Sequence, residues 1–185
     1  KTIVVDMVSQ NWLTKDDVNQ TEWRHWLTLS IPEKVTSDIG MLFIGGGRNN
    51  EGKPRDNERS HAIAKATNSV VAQRGLIPNQ PLIFHNDGQE RVEDDLIGYT
   101  WDQFLETGDP IWPARNAMVK GAGKAMDAMT EVLASEEGGG HSVDRFVVAG
   151  GSKRGWTTWL TGAVDDRVVA IIPIVIDVVN ANPSM

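Results

Sequence analysis

Residues 150–156 read GGSKRGW, and Ser152 is the group among them that can do chemistry. A hydroxyl held between glycines, directly after the apolar run Phe146–Ala149, suits three functions. It can belong to a phosphate cradle, to the glycine-rich turn of a dinucleotide binder, or to a strand-to-helix turn that presents a nucleophilic serine. A second glycine cluster, Gly45–Gly47, follows another apolar run, Ile39–Ile44. Any reading of one cluster has to accommodate the other.

The phosphate reading rests on Gly47–Lys53, which spells G-x-x-x-x-G-K. Residue 54 is proline where a P-loop carries the Ser or Thr hydroxyl for Mg²⁺. Pro54 also removes a backbone N–H that should donate to phosphate, so a solvated loop is the better account. In the dinucleotide reading, AGGSKRG would open a βαβ unit, but too little chain follows Ser152 to complete the sheet such a turn begins. No Gly-x-Gly follows Gly155 either.

The third reading uses both clusters. A nucleophile elbow strains the serine backbone, so its flanks must be small, and Gly150 and Gly151 supply that. The glycine of G-x-S-x-G is replaced by Arg154, and glycine appears one position later as Gly155, where it would let the helix pack close to the strand. Acyl transfer also needs backbone donors for a developing oxyanion. The N–H of Lys153 and one from the glycine loop, at Gly46 or Gly47, are the candidates. Lys153 and Arg154 would add positive potential, which suits an anionic acyl substrate. The competing structural reading is that Ser152 simply caps the helix after it.

Strands are predicted over 23–31, 39–44, 69–73, 145–149 and 168–176. Helices are predicted over 61–67, 94–107, 113–135 and 153–163. The 113–135 segment carries the clearest helical period, with Met118, Ala122, Ala125, Met126, Met129, Val132 and Leu133 on one face. Strands alternating with helices define an α/β class with a mostly parallel sheet. Ligands in such sheets sit beyond the carboxyl ends of strands, which is where both glycine clusters fall.

Composition narrows the field. A formal charge of −7 argues against general nucleic-acid binding. The absence of cysteine excludes disulfides, thiolate zinc sites and a cysteine nucleophile. No apolar run reaches membrane-spanning length. Nothing in the sequence calls for a cofactor or a metal. Seven tryptophans against one tyrosine is a skewed ratio. Of these, Trp101, Trp112 and Trp156 are candidates to border a cleft or to pack in the core.

The segments WRHWLTLSIP at 23–32, MLFIGGG at 41–47, DDLIGYTWDQFLETGDPIWPARNAMVKGAGKAMDAM at 94–129 and VVAGGSKRGWTTWLTGAVDDRVVAIIPIVID at 147–177 carry a resemblance. They resemble the PhoPQ-activated pathogenicity-related protein family, a branch of the α/β-hydrolase fold. The resemblance implies a sheet with flanking helices and Ser152 as nucleophile. It also implies a triad in the order Ser, Asp, His, and a periplasmic or secreted location. The implied substrates are small-molecule or peptide esters and amides. Some relatives are described as secreted signalling factors, so a non-catalytic binding or signalling role stands as the alternative.

In this fold the histidine comes last in the triad. His25, His61, His85 and His141 all precede Ser152, and each suits a solvated or structural role better than that of a base. Asp177, at the end of the 168–176 strand, is a candidate acid or the start of a loop. The expectation is therefore a single α/β-hydrolase-like domain over 1–185, incomplete at its C-terminus, with the base beyond Met185.

Overall fold

The computed structural model describes residues 1–176. Six strands form one sheet: β1 (Thr2–Asn11), β2 (Glu22–Ser30), β3 (Ile39–Ile44), β4 (Val71–Arg74), β5 (Arg145–Gly151) and β6 (Val168–Ile174). Their order across the sheet is β1-β2-β4-β3-β5-β6. The β1–β2 and β2–β4 pairs are antiparallel and the other three pairs parallel, so β2 alone runs against the rest. Among the described residues four helices connect them: α1 (Glu58–Thr67), α2 (Glu93–Thr107), α3 (Ala114–Ala134) and α4 (Lys153–Val164).

The period-3.6 face predicted for 113–135 is the one α3 buries. Met118, Ala122, Ala125, Met126, Met129 and Leu133 are all sealed from solvent, against Leu27, Leu42, Phe146 and Val148 of the sheet. Each such methionine or leucine contributes about 1.5–3 kcal/mol by leaving water. The two faces of the sheet can be told apart on β4. Gln73 meets Asn57, the N-cap of α1, whereas the side chain of its neighbour Arg74 lies against Gly121 of α3. Successive strand residues point to opposite faces, so α1 covers one side and α3 the other. The helix α4 packs beside α3 and against β5 and β6.

Most predicted elements match in type and place. Strand β1 is the exception, since no strand was expected over residues 2–11. Its residues alternate only in part, and pairing with β2 rather than an apolar face defines it. Helix α1 starts at Glu58, earlier than expected, because the Asn57 side chain accepts from the N–H groups of Arg59 and Ser60. Strand β5 continues through Gly150 and Gly151, two residues past the expected end.

A candidate active site at the end of β5

Strands β3 and β5 are paired neighbours, with Ile44 opposite Gly150. The chain therefore carries Gly46 and Ser152 two residues beyond that pair, side by side at the carboxyl edge. Ser152 is exposed and has φ 54° and ψ −122°, a conformation costly for any residue with a side chain. Its N–H donates to the Ile174 carbonyl at 2.8 Å, and its carbonyl accepts from Trp156 N–H at 3.0 Å. Its hydroxyl makes no capping bond to α4. The Ser152→Gly variant should therefore gain about 1 kcal/mol of stability by relieving this strain. A melting temperature 2–4 °C above the parent is the expected readout, and a lower one would argue against strain.

Close approach requires glycine at 150 and 155, but not at Gly151, contrary to the sequence expectation, since nothing lies within 4 Å of a Cβ there. A Cβ on Gly150 would lie 2.6 Å from the Arg154 carbonyl oxygen. A Cβ on Gly155 would lie 3.1 Å from the carbonyl oxygens of both Gly150 and Ile174. Glycine at +3 thus does the helix-to-strand packing, which leaves the +2 position free to hold an arginine.

The carbonyls of the glycine loop are all engaged. Gly45 O accepts from Ile77 N–H at 3.2 Å, Gly46 O from Leu76 N–H at 2.9 Å, and Gly47 O from Gln80 Nε2 at 3.0 Å. Gly45 N–H donates to Arg74 O at 2.7 Å. Among the described residues, the N–H groups of Gly46 and Gly47 have no hydrogen-bond partner. They remain available at the edge beside Ser152. The P-loop-like stretch 47–53 runs into an exposed loop, and no helix starts until Glu58.

Lys153 and Arg154 are not free cations, contrary to the sequence expectation of an open positive potential. Arg154 donates to both oxygens of Glu93, from Nη1 at 2.9 Å and from Nη2 at 2.5 Å, and its Nε donates to Ile77 O at 2.7 Å. Lys153 Nζ lies 2.9 Å from Asp94 and 3.2 Å from Glu93. Gln80 joins the network by donating to Glu93 at 2.7 Å as well as to Gly47 O. Arg154, Gln80, Lys153 and burial all act on the Glu93 carboxyl; the Arg154 hydrogen bonds dominate and push it down to about 2. One carboxylate thus ties the turn after Ser152 to the glycine loop. Neither Glu93 nor Gln80 carries a sequence signal, because their role depends on which loops meet above the sheet.

The four histidines lie elsewhere, and three of them are bonded there. His25 lies within β2, separated from β5 by β4 and β3; it contacts Ser9 Oγ at 2.8 Å and Leu76 O at 3.1 Å. Burial, reinforced by the Arg74 charge, pushes its imidazole down to about 2. His61 sits in α1 beside Asp56 at 2.7 Å, and His85 meets Tyr99 Oη at 2.8 Å. His141 precedes β5 and packs against Gly139. Asp177 lies outside the described residues. The three tryptophans divide. Trp112 is buried in the core against Phe84, Trp101 is exposed on α2, and Trp156 lies partly exposed over the Arg115 guanidinium at 4.3 Å.

A sheet in this order, with β2 alone reversed and a serine turn between β5 and α4, is the frame of an α/β-hydrolase. The chain belongs to the PhoPQ-activated pathogenicity-related protein family, whose profile matches residues 1–185. Autocrine proliferation repressor protein A of Dictyostelium discoideum is 40% identical over 185 residues, covering 98% of this chain. The chain spans 37% of the length of that relative. Among solved structures, an acetyl xylan esterase from Paenibacillus sp. R4 is similar at a TM-score of 0.47 and 13% identity, over 94% of this chain and 53% of that one. A proline iminopeptidase from Mycobacterium smegmatis gives 0.44 and 12%, over 90% and 42%.

Proposed function

We propose that this chain carries the nucleophile half of a serine hydrolase acting on ester or amide bonds of small molecules or peptides. The observation that carries the reading is Ser152 itself: a strained residue at a strand end, its hydroxyl uncommitted among the described residues, with glycine-loop N–H groups beside it that no described residue bonds. In the reaction Ser152 Oγ attacks the carbonyl carbon and loses its proton to a base. The carbonyl oxygen becomes an oxyanion that accepts from Lys153 N–H and from Gly46 or Gly47 N–H. The tetrahedral adduct then collapses, expelling the alcohol or amine, which takes up the proton, and leaves the acyl group on Ser152 Oγ until water, deprotonated by the same base, displaces it as the carboxylic acid and returns the proton to Ser152. The base is a histidine that follows Ser152 in the whole protein, as the chain order of this fold requires. The acid that orients it comes from the same later segment, with Asp177 as the candidate nearest in sequence.

A fluorophosphonate probe tests this directly. The protein expressed from its complete gene should label at Ser152, and Ser152→Ala should abolish labelling. The 185-residue chain alone should react slower by about 10⁴-fold or more, because an unassisted hydroxyl is a poor nucleophile. Absence of Ser152 labelling in the complete protein would sink the proposal. Fast labelling of the short chain would instead make one of the four histidines the base.

A second reading is a hydrolase-fold signalling protein in which the serine is not used. It is favoured by the regulatory name of the Dictyostelium relative. Under that reading Ser152→Ala leaves the signalling effect of the complete protein intact, whereas the enzyme reading expects its loss.

A further inference from the structure

Among the described residues Arg115 forms no salt bridge, and the one carboxylate that acts on it through space, Asp94, is paired with Lys153. Arg115 is 3% exposed, on the first turn of α3, where the helix dipole already disfavours a cation. Its Nη1 donates to the Lys153 carbonyl at 2.7 Å, which anchors it to the residue next to Ser152. Its Nε is buried and has no partner. The acids nearby are already committed: Glu93 to Arg154 and Lys153, Asp94 to Lys153. Burial, together with the Arg154 charge, pulls the Arg115 guanidinium down to about 10. A buried cation left unbalanced in this way destabilises the fold, and such sites concentrate where a ligand supplies the missing charge.

The geometry selects the ligand. With Nη1 occupied, the edge that includes Nε is the one left for an acceptor, and a planar carboxylate matches a guanidinium edge with two parallel hydrogen bonds. The indole of Trp156, itself 37% exposed, lies over the guanidinium face at 4.3 Å and leaves the edge as the part of the group open to pairing. Arg74, the other buried arginine without partners, does not compete, because it is wholly enclosed against Gly121 of α3.

We propose that Arg115 is the carboxylate-binding residue of this site. It would select substrates that carry a carboxylate a few bonds from the scissile ester or amide, as in an N-acyl amino acid. The substrate assignment rests on the serine hydrolase reading; the anion site itself does not.

Calorimetry with N-acetylphenylalanine and its uncharged amide, on the protein expressed from its complete gene at pH 7 and low salt, decides the matter. The carboxylate should bind at least tenfold more tightly than the amide. Ser152→Ala should keep that ratio, Arg115→Gln should bring it to one, and Arg115→Lys should lose most of it, since an ammonium lacks the planar edge. Equal binding of the two probes to the unmodified chain, or no saturable binding of either, overturns the proposal and needs no variant. Inorganic phosphate competing more strongly than the carboxylate would also overturn it, by making the site one for tetrahedral anions. Loss of Ser152 labelling with the carboxylate preference intact would remove the enzyme reading and leave the binding site standing.

Discussion

Gly150→Ala should cost about 3 kcal/mol, close to the upper end of what forced overpacking produces. The added Cβ would stand 2.6 Å from the Arg154 carbonyl oxygen, 2.8 Å from its carbon and 2.9 Å from Thr158 Oγ1. Two of these atoms are helix backbone, so relief requires α4 to move as a unit away from β5. That helix begins at Lys153, and its shift would carry the Lys153 N–H and the Ser152 backbone with it. Urea unfolding of the parent and the variant measures the cost. A companion Gly151→Ala sets the scale, since nothing lies within 4 Å of a Cβ there, and it should lose less than 1 kcal/mol. Equal losses at the two positions would show that packing of α4 on β5 is not what demands glycine.

Glu93→Gln should destabilise the fold by about 1–2 kcal/mol at neutral pH, within the range of a lost hydrogen bond to a charged group and moderated by partial solvent screening. It leaves Arg154, only 12% exposed in its side chain, without its carboxylate. The pH dependence identifies the cause. Glu93 has its folded pKa held at about 2, below the 4.5 of an unperturbed glutamate, chiefly by the Arg154 hydrogen bonds. A lowered carboxylate stabilises the fold above its unfolded pKa and loses that contribution as pH falls through the folded one. The parent should therefore lose stability relative to Glu93→Gln between about pH 4.5 and pH 2, until the two curves meet. Denaturant midpoints at pH 7, 4 and 2.5 follow this difference. Asp6, Asp38, Asp87 and Asp165, also lowered chiefly by arginine partners, titrate in both proteins and cancel. A difference that stays constant with pH would mean Glu93 acts by shape alone.

Local patterning along the chain determined the α/β class, the apolar face of α3, the two strand-ending glycine clusters and the serine that follows the second. These features follow from nearest-neighbour physics, because burial periodicity and the steric demands of a tight turn are written in adjacent residues. Gly155 as the substitute for the missing +2 glycine was legible for the same reason. Strand β1 was not, since its place comes from hydrogen bonds to β2 rather than from its own alternation. The charge state of the site was also out of reach. Lys153 and Arg154 read as open cations, yet Glu93 and Asp94, some sixty residues earlier, neutralise them. Arg115 carries no sequence signal, yet it is a buried cation with no salt bridge among the described residues. Pairing between side chains that distant in sequence depends on where α2, α3 and α4 meet above the sheet, and only the assembled tertiary structure sets those distances.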